Sequence, residues 1–336
     1  MDPATRVRLG RSALQVTRLG LGTAPLGGLF ASVGDADASA VLARAYAEGL
    51  RLFDTAPLYG SGLAERRVGS ALRERPRDEF VLATKVGRLL RAGAPPDRTQ
   101  FRDGRPLYQG ALPFNPVFDF SYDGVLRSMD ESLERLGLGR IDILHIHDPD
   151  DHYDEARAGA YAALARLRGE GVIGAVGVGM NGTAVLLRFA RETDVDCFLV
   201  AGRYTLLDQS ALPDLLPVCL ARGIAVIAGG VFNSGILAAP APDAPFDYGP
   251  AAPEVIAKAR RLEALCAEHG VPLAAAALQF PFGHPAVTAV VVGCRSEHEL
   301  ADNVRMFRRP IPASLWDGLR RARLLPDDVP VPPEAA

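Results

Sequence analysis

Short, almost wholly apolar β-rich runs alternate with amphipathic stretches from about residue 19 to residue 305, and this alternation limits the fold more than any other feature. The runs read RLGLG, RLFDT, EFVLATKV, IDILHIH, VIGAVGVG, CFLVAG, IAVIAGG and VTAVVVG. Strands that are apolar on both faces belong to a parallel sheet covered on both sides. The intervening segments carry helical spacing. From Tyr122 to Leu136, residues Val125, Leu126, Met129, Leu133 and Leu136 fall on one face. Another helix begins near Asp37, turns Val41, Leu42, Ala45 and Tyr46 inward, and stops at Gly49. Eight such units predict an α/β protein: a closed, parallel, eight-stranded (β/α)8 barrel of TIM type with outer helices. An open doubly wound sheet is the alternative, disfavoured because no GxGxxG follows the first strand.

The length of 336 residues suits one barrel domain over 1–336. A net charge of −3 gives no electrostatic reason to expect nucleic acid or an anionic membrane as partner. The opening MDPATRVRLG lacks the basic-then-apolar pattern of a signal peptide, so a cytoplasmic location is expected. Cys197, Cys219, Cys266 and Cys294 lie far apart without metal-ligand spacing and read as reduced core thiols. Gly270 to Cys294 contains no Asp, Glu, Lys or Arg and superficially suits a membrane span. Pro272, Pro281, Pro285, Gln279 and His284 interrupt it, so a buried helix, a turn and a buried strand are expected instead.

Three pieces fall outside the alternation. Residues 6–19 hold two short β-like runs around Gly10–Ser12, consistent with an N-terminal β-hairpin plugging the barrel floor. Residues 88–121 form a long insertion rich in Gly, Pro and aromatics (Tyr108, Phe114, Phe118, Phe120), of a length usually functional or disordered. From Leu324 onward a Pro- and Asp-rich loose tail is expected.

Barrel enzymes carry their reactive groups at the C-terminal ends of strands. Asp54 ends the second run and Tyr59 follows in its loop; Lys85 ends the third and His147 the fourth. These are neighbouring strands, so the four side chains can converge. Lys85 stands out further because the chain has only two lysines, Lys85 and Lys258, among 37 Lys+Arg. A chain that otherwise writes its cations as Arg keeps a compact, titratable ammonium at a strand end. The expected roles follow. Lys85 lowers the pKa of the Tyr59 phenol, Asp54 holds the ammonium charged and oriented, and His147 hydrogen-bonds the substrate oxygen and shares proton transfer.

FDTAPLYGSGLAERRVG, ATKVG and DILHIHDP resemble segments of the aldo-keto reductase superfamily, and the likeness spans nearly the whole chain. GTAPLGG, FLVAGRYTLLDQ, GGVFNSGIL and ALQFPFGHPAV resemble the branch containing aldose 1-dehydrogenases (D-threo-aldose, L-fucose and galactose) and pyridoxal 4-dehydrogenase. The resemblance implies oxidation of a cyclic hemiacetal carbon to a lactone with NAD or NADP, the hydride passing to the nicotinamide. An aldose is the first substrate reading and pyridoxal the alternative. Arg88, Arg203, Tyr204, Asn115 and His284 are the polar candidates near the mouth, and Phe114, Phe118 and Phe120 the apolar ones.

The resemblance places Gly22, Thr23, Asn181, Phe232, Asn233, Ser234, Gly235, Gly293, Arg295, Glu299 and Asn303 at the cofactor. The family's carboxamide-binding Ser-Asn pair reads Gly179-Met180-Asn181, leaving Asn181 that role, and Gly229-Gly230 replaces the ring that stacks on nicotinamide, with Phe232 as its substitute. Phe232-Asn233-Ser234-Gly235 occupies the place of the pyrophosphate loop. NADP-favouring members carry Lys and Arg where this chain has Gly293 and Glu299, so NAD is the expected preference, with Arg295 able to restore some NADP use.

Two other classes remain to be weighed. His145 and His147 share a strand face as an HxH pair, which in a barrel can bind metal and would make a metal-dependent hydrolase. The chain has only six histidines and no Asp or His closes the eighth run, so no metal site is expected and His145 reads as a packed interior residue. A non-catalytic cofactor-binding subunit would keep the fold, but no added interaction segment marks one. His152 and His298 are expected at the surface, and nothing specifies an oligomeric state.

Overall fold

Alternation along each strand sorts side chains into two separate cores, and this sorting builds the barrel. In the computed structural model, which describes residues 1–102 and 104–333, eight parallel strands close on themselves: β1 (Leu19–Gly22), β2 (Leu52–Asp54), β3 (Val81–Val86), β4 (Ile143–His147), β5 (Ala175–Met180), β6 (Cys197–Ala201), β7 (Ala225–Gly229) and β8 (Val287–Gly293). Leu52, Ala83, Ile143, Ala175, Leu199, Ile227 and Val291 fill the interior. Their neighbours Phe53, Leu82, Leu144, Val176, Val200, Val226 and Val290 pack outward under the helices.

The outer layer comprises α1 (Asp35–Ala47), α2 (Leu63–Leu72), α3 (Tyr122–Leu136), α4 (Ala162–Gly169), α5 (Thr183–Glu192), α6 (Leu215–Arg222), α7 (Pro253–Glu268), α8 (Leu273–Gln279), α9 (Glu297–Arg308) and α10 (Ala313–Arg321). The helix read over Tyr122–Leu136 has those bounds: the Ser121 hydroxyl accepts from the Gly124 N–H at 3.1 Å, and Gly137 ends it at φ 63°. Its apolar face is narrower than the spacing suggests, with Leu126, Met129 and Leu133 only partly buried while Ser128 and Ser132 are buried. α1 buries Val41, Leu42 and Ala45, and Gly49 takes φ 85° just past its end.

α2 and α3 grip the strand that carries the lysine. Thr84 faces outward from β3 and donates to Glu65 on α2 at 2.7 Å, and Arg135 on α3 bonds the same, fully buried carboxylate at 2.6 Å. Those bonds fix β3 against its helices and so set the height of Lys85 in the barrel.

The N-terminal hairpin forms as expected, Arg6–Arg8 pairing antiparallel with Gln15–Thr17. Leu9 and Val16 are fully buried in the interior cluster and close the floor. The apolar stretch after Gly270 becomes α8, a short 3-10 turn and β8, and among the described residues no helix is long and apolar enough to cross a membrane.

The structure corrects two expectations. The insertion is built: Arg88–Arg91 pairs with Asn115–Phe118, and Phe101–Arg102 with Arg105–Pro106. Its tip is tied to the first two β→α loops by Phe30 N–H to Leu107 O (2.8 Å), Gln109 N–H to Gly28 O (2.9 Å) and Leu112 N–H to Gly60 O (3.1 Å). The expected loose tail is not loose over the residues described. Leu324, Leu325 and Val329 are buried, and Arg320 donates to Val329 O at 2.8 Å, because three apolar groups join the outer core under the helices. Residues 334–336 of that tail lie outside the described residues.

Candidate active site

Asp54, Lys85 and His147 occupy inward-facing positions at the C-terminal ends of β2, β3 and β4, and Tyr59 reaches them from the β2 loop. Asp54 pairs with Ala83 and His145 with Lys85 in register, so each inward-facing group stands two residues further along its strand than the one before it. The Lys85 ammonium donates to Asp54 Oδ1 (2.9 Å), Asp54 Oδ2 (2.8 Å) and Thr55 O (2.9 Å), saturating its three donors. Both partners are buried, Lys85 at 1% and Asp54 at 4% exposure, so each depends on the other for its charge. Burial nevertheless pushes the Asp54 carboxyl up, an effect that Lys85 only partly offsets.

Lys85 Nζ sits 4.7 Å from the centre of the Tyr59 ring, over its face. The expected net lowering of the Tyr59 pKa is outweighed by the other surroundings. Burial raises the phenol well above its ordinary value, the Asp54 charge raises it further, and the ammonium is spent on Asp54 and Thr55. Tyr59 therefore stays protonated through neutral pH.

His147 meets Tyr59 edge to face, ring centres 5.9 Å apart at 86°. It too is held neutral, because burial and then the charges of Arg88 and Lys85 lower its pKa well below the usual value. His145 lies one turn of the strand deeper, fully buried, with both ring nitrogens unpartnered and its pKa lowered to about 3 by burial and then by Lys85. It fits only because β5 carries Gly177 beside it: a Cβ there would stand 2.2 Å from His145 Nδ1. Among the described residues, no three His, Cys, Asp or Glu side chains are grouped to hold a metal ion.

The mouth is furnished by other residues than those expected. Tyr108, from the tip of the insertion, stacks on Tyr59 with ring centres 6.0 Å apart and 26° between planes. Phe30 and Tyr248 approach to 6.1 Å, and Phe30, Tyr59 and Tyr248 line the same cavity. Of the polar candidates, Arg88 bonds His147 O and Asp148, Arg203 clasps Asp247 at 2.9 Å, and Asn115 bonds Ala94 O. Tyr204 is buried against Phe280 in the outer core. His284 precedes β8 and so stands at the opposite rim of the barrel. Phe120 packs under Gly87, and Phe118 stacks on Phe120 and on His152, which is half-buried, not surface-exposed as expected; His298 is exposed. Phe114 is half-buried and its carbonyl accepts from Ser61 at 2.8 Å.

A groove of about 1320 Å³ runs from Asp54 and Tyr59 across the ends of β5 to β8 to the start of α9. Drug-sized ligand pockets hold about 300–1,000 Å³, so this one has room for a larger molecule. Gly22, Asn181, Phe232, Asn233, Ser234, Gly235, Gly293, Arg295, Glu299 and Asn303 all line it. The residues fit an extended dinucleotide on two observations. A Cβ at Gly235 would meet nothing within 4 Å, so the glycine keeps the cradle open. Asn233 is 4% exposed, donates to Gly202 O, and leaves its Oδ1 unpartnered. Asn181 donates to Ala201 O at 2.9 Å. Thr23 is the exception: fully buried, it bonds Asp54 O through both its N–H (2.9 Å) and its hydroxyl (3.0 Å). It ties the end of β1 to the end of β2 behind the groove.

At the far end of the groove, Ser296 caps α9 by accepting the Glu299 N–H at 3.2 Å. The Glu299 carboxylate accepts the Arg295 N–H at 2.8 Å and pairs with its guanidinium at 3.5 Å.

Residues 18–323 match the aldo/keto reductase family. The pyridoxal 4-dehydrogenase of Microbacterium luteolum is 45% identical to this chain, covering 94% of it and 97% of the relative. The D-threo-aldose 1-dehydrogenase of a Pseudomonas species is 43% identical, covering 96% and 99%. Among solved structures, an aldo-keto reductase from Bacillus halodurans in its holo form superposes with a TM-score of 0.72 at 25% identity, covering 94% of this chain and 95% of that one.

Proposed function

The chain belongs to the aldo/keto reductase family of NAD(P)-dependent oxidoreductases, and from that membership we propose that it oxidises the hemiacetal carbon of a cyclic substrate to a lactone. The carrying observation is the buried Lys85–Asp54 pair, its ammonium over the face of the Tyr59 ring, beside a neutral His147. When bound, an oxidised nicotinamide accepts the hydride from that carbon. As the C–H bond breaks, the hydroxyl proton passes to the Tyr59 oxygen in its phenolate form, and a C=O bond is left. His147 hydrogen-bonds the same substrate oxygen and holds it against Tyr59.

An aldose such as L-fucose, D-threo-aldose or galactose is the first substrate reading. The phenols of Tyr59, Tyr108 and Tyr248 bring polar groups to the mouth, and a buried sugar needs partners for its hydroxyls. Pyridoxal, itself a cyclic hemiacetal, is the second reading, favoured by the number of rings there. The test is kcat/KM with NAD for a panel of free sugars and pyridoxal, without added metal. Simple aldehydes reduced with NADPH much faster than any hemiacetal is oxidised would overturn the proposal. Cofactor binding without any turnover would mark a non-catalytic subunit.

The raised Tyr59 phenol makes the two directions titrate oppositely. Reduction uses the protonated form, so its kcat/KM should hold through neutral pH and fall only in strongly alkaline solution. Oxidation uses the deprotonated form and should climb with pH over the same range. Opposed limbs in the two pH profiles, both absent in Tyr59→Phe, are the expected result; a reductive limb falling below pH 7 would be the wrong sign.

NAD is the proposed preferred cofactor, with NADP used less well. Glu299 lines the groove where the 2′-phosphate of NADP would add charge, and its pairing with Arg295 moderates the repulsion while occupying the cation. Glu299→Gln should raise kcat/KM for NADP several-fold at most, roughly one decade per 1.4 kcal/mol, while NAD use holds or falls; Arg295→Ala should lower NADP use. A wild type that prefers NADP, with Glu299→Gln indifferent, refutes the assignment.

A further inference from the structure

Asp148, immediately after the catalytic histidine, adopts φ 45°, a left-handed conformation uncommon outside glycine. Such backbone persists only where the surroundings over-determine it. Here they do. Arg88, itself buried, donates to His147 O at 3.2 Å with one guanidinium nitrogen and to Asp148 Oδ2 at 3.1 Å with another. The Asp148 N–H donates to Gly179 O on β5 at 3.1 Å. The result brings Asp148 Oδ2 to 3.5 Å from His147 Nε2, while His147 Nδ1 is buried without a partner.

An imidazole with an acceptor-only carboxylate at Nε2 and nothing at Nδ1 has one favourable neutral form, with the proton on Nε2. We infer that Asp148 is a positioning residue for His147: clamped by Arg88, it fixes the imidazole as the Nε2–H tautomer, oriented as a hydrogen-bond donor toward the substrate oxygen. The donor is prepared before substrate arrives. The inference rests on the reaction proposed above for its consequence in turnover, but the tautomer itself exists without substrate.

The test uses the full-length protein with 15N-labelled histidine, read by NMR at pH 7 without substrate, together with kcat and KM on whichever hemiacetal the wild type oxidises. Asp148→Gly and Asp148→Ala delete the carboxylate, and glycine suits the positive φ; Asp148→Asn keeps a carbonyl acceptor at a backbone angle asparagine tolerates. Wild type and Asp148→Asn should show the Nε2–H form of His147, and the deletions a mixture of tautomers. kcat should fall about tenfold or more in the deletions, the scale seen when a partner that orients a histidine is removed. Cofactor Kd should be unchanged, and Asp148→Asn should recover most of kcat. The same tautomer in all four proteins, or deletion variants within about twofold of wild-type kcat, would overturn the inference. Because the NMR arm needs no substrate, a wrong substrate reading would leave its outcome intact.

Discussion

Tyr59→Phe is expected to lose roughly 10²-fold or more in turnover while binding cofactor almost as well as the wild type. The phenyl ring keeps its stack with Tyr108 and its place beneath the Lys85 ammonium, so packing is preserved and only the proton donor and acceptor is removed. Steady-state turnover and cofactor titration by fluorescence measure the two quantities. A variant that keeps more than about a tenth of wild-type activity would remove Tyr59 from the chemistry, since acid–base groups contribute about 10²–10⁴-fold. Lys85→Arg is a stricter companion. Its charge is retained, but a planar guanidinium cannot place three donors on Asp54 Oδ1, Asp54 Oδ2 and Thr55 O as the ammonium does.

Lys85→Met should cost stability as well as activity, because it strands a buried carboxylate. Removing one partner of a buried pair typically costs about 3–5 kcal/mol, and Asp54 has 4% exposure and, among the described residues, no other cation within hydrogen-bonding reach. The pH dependence has a definite sign. Burial already raises the folded-state pKa of Asp54 above its ordinary value, and loss of Lys85 raises it further. A carboxyl with a raised folded pKa favours folding fully below its unfolded pKa, and that contribution is lost as pH rises through the folded value. The deficit of Lys85→Met relative to wild type should therefore be smallest in acid and grow toward neutrality in urea titrations. The double variant Lys85→Met/Asp54→Leu should recover most of the loss while remaining inactive. A single variant as stable as wild type at pH 7 would contradict the reading of this pair.

Their positions at the ends of LFDTA, LATKVG and LHIHD were enough to bring Asp54, Lys85 and His147 to neighbouring strand ends, and the structure puts them there. The groove lining was legible for a different reason, through family resemblance in GVFNSG and VGCRSEHELADN. Thr23 was misread because resemblance gives a position along the chain and not the direction in which a buried side chain turns. His284 could have been placed correctly from the sequence, since any residue just before a barrel strand lies at the rim opposite the active site. Tyr108 and Tyr248 had no local signal: each comes from an irregular segment, and only the closure of those segments over the barrel brings them to Tyr59 and Phe30.

By itself the sequence determined the barrel, its eight strands and the places of the polar groups at their ends, because these depend on short-range periodicity that any stretch of five to fifteen residues displays. Only the tertiary structure decided the state of those groups. The Tyr59 phenol is raised where a neighbouring ammonium suggested it would be lowered, since burial and then the Asp54 charge outweigh an ammonium already bound by Asp54 and Thr55. Asp148 comes to 3.5 Å from His147 because Arg88, sixty residues earlier, holds its carboxylate there. Burial and the sharing of partners are sums over neighbours distant in sequence, and no local pattern encodes them.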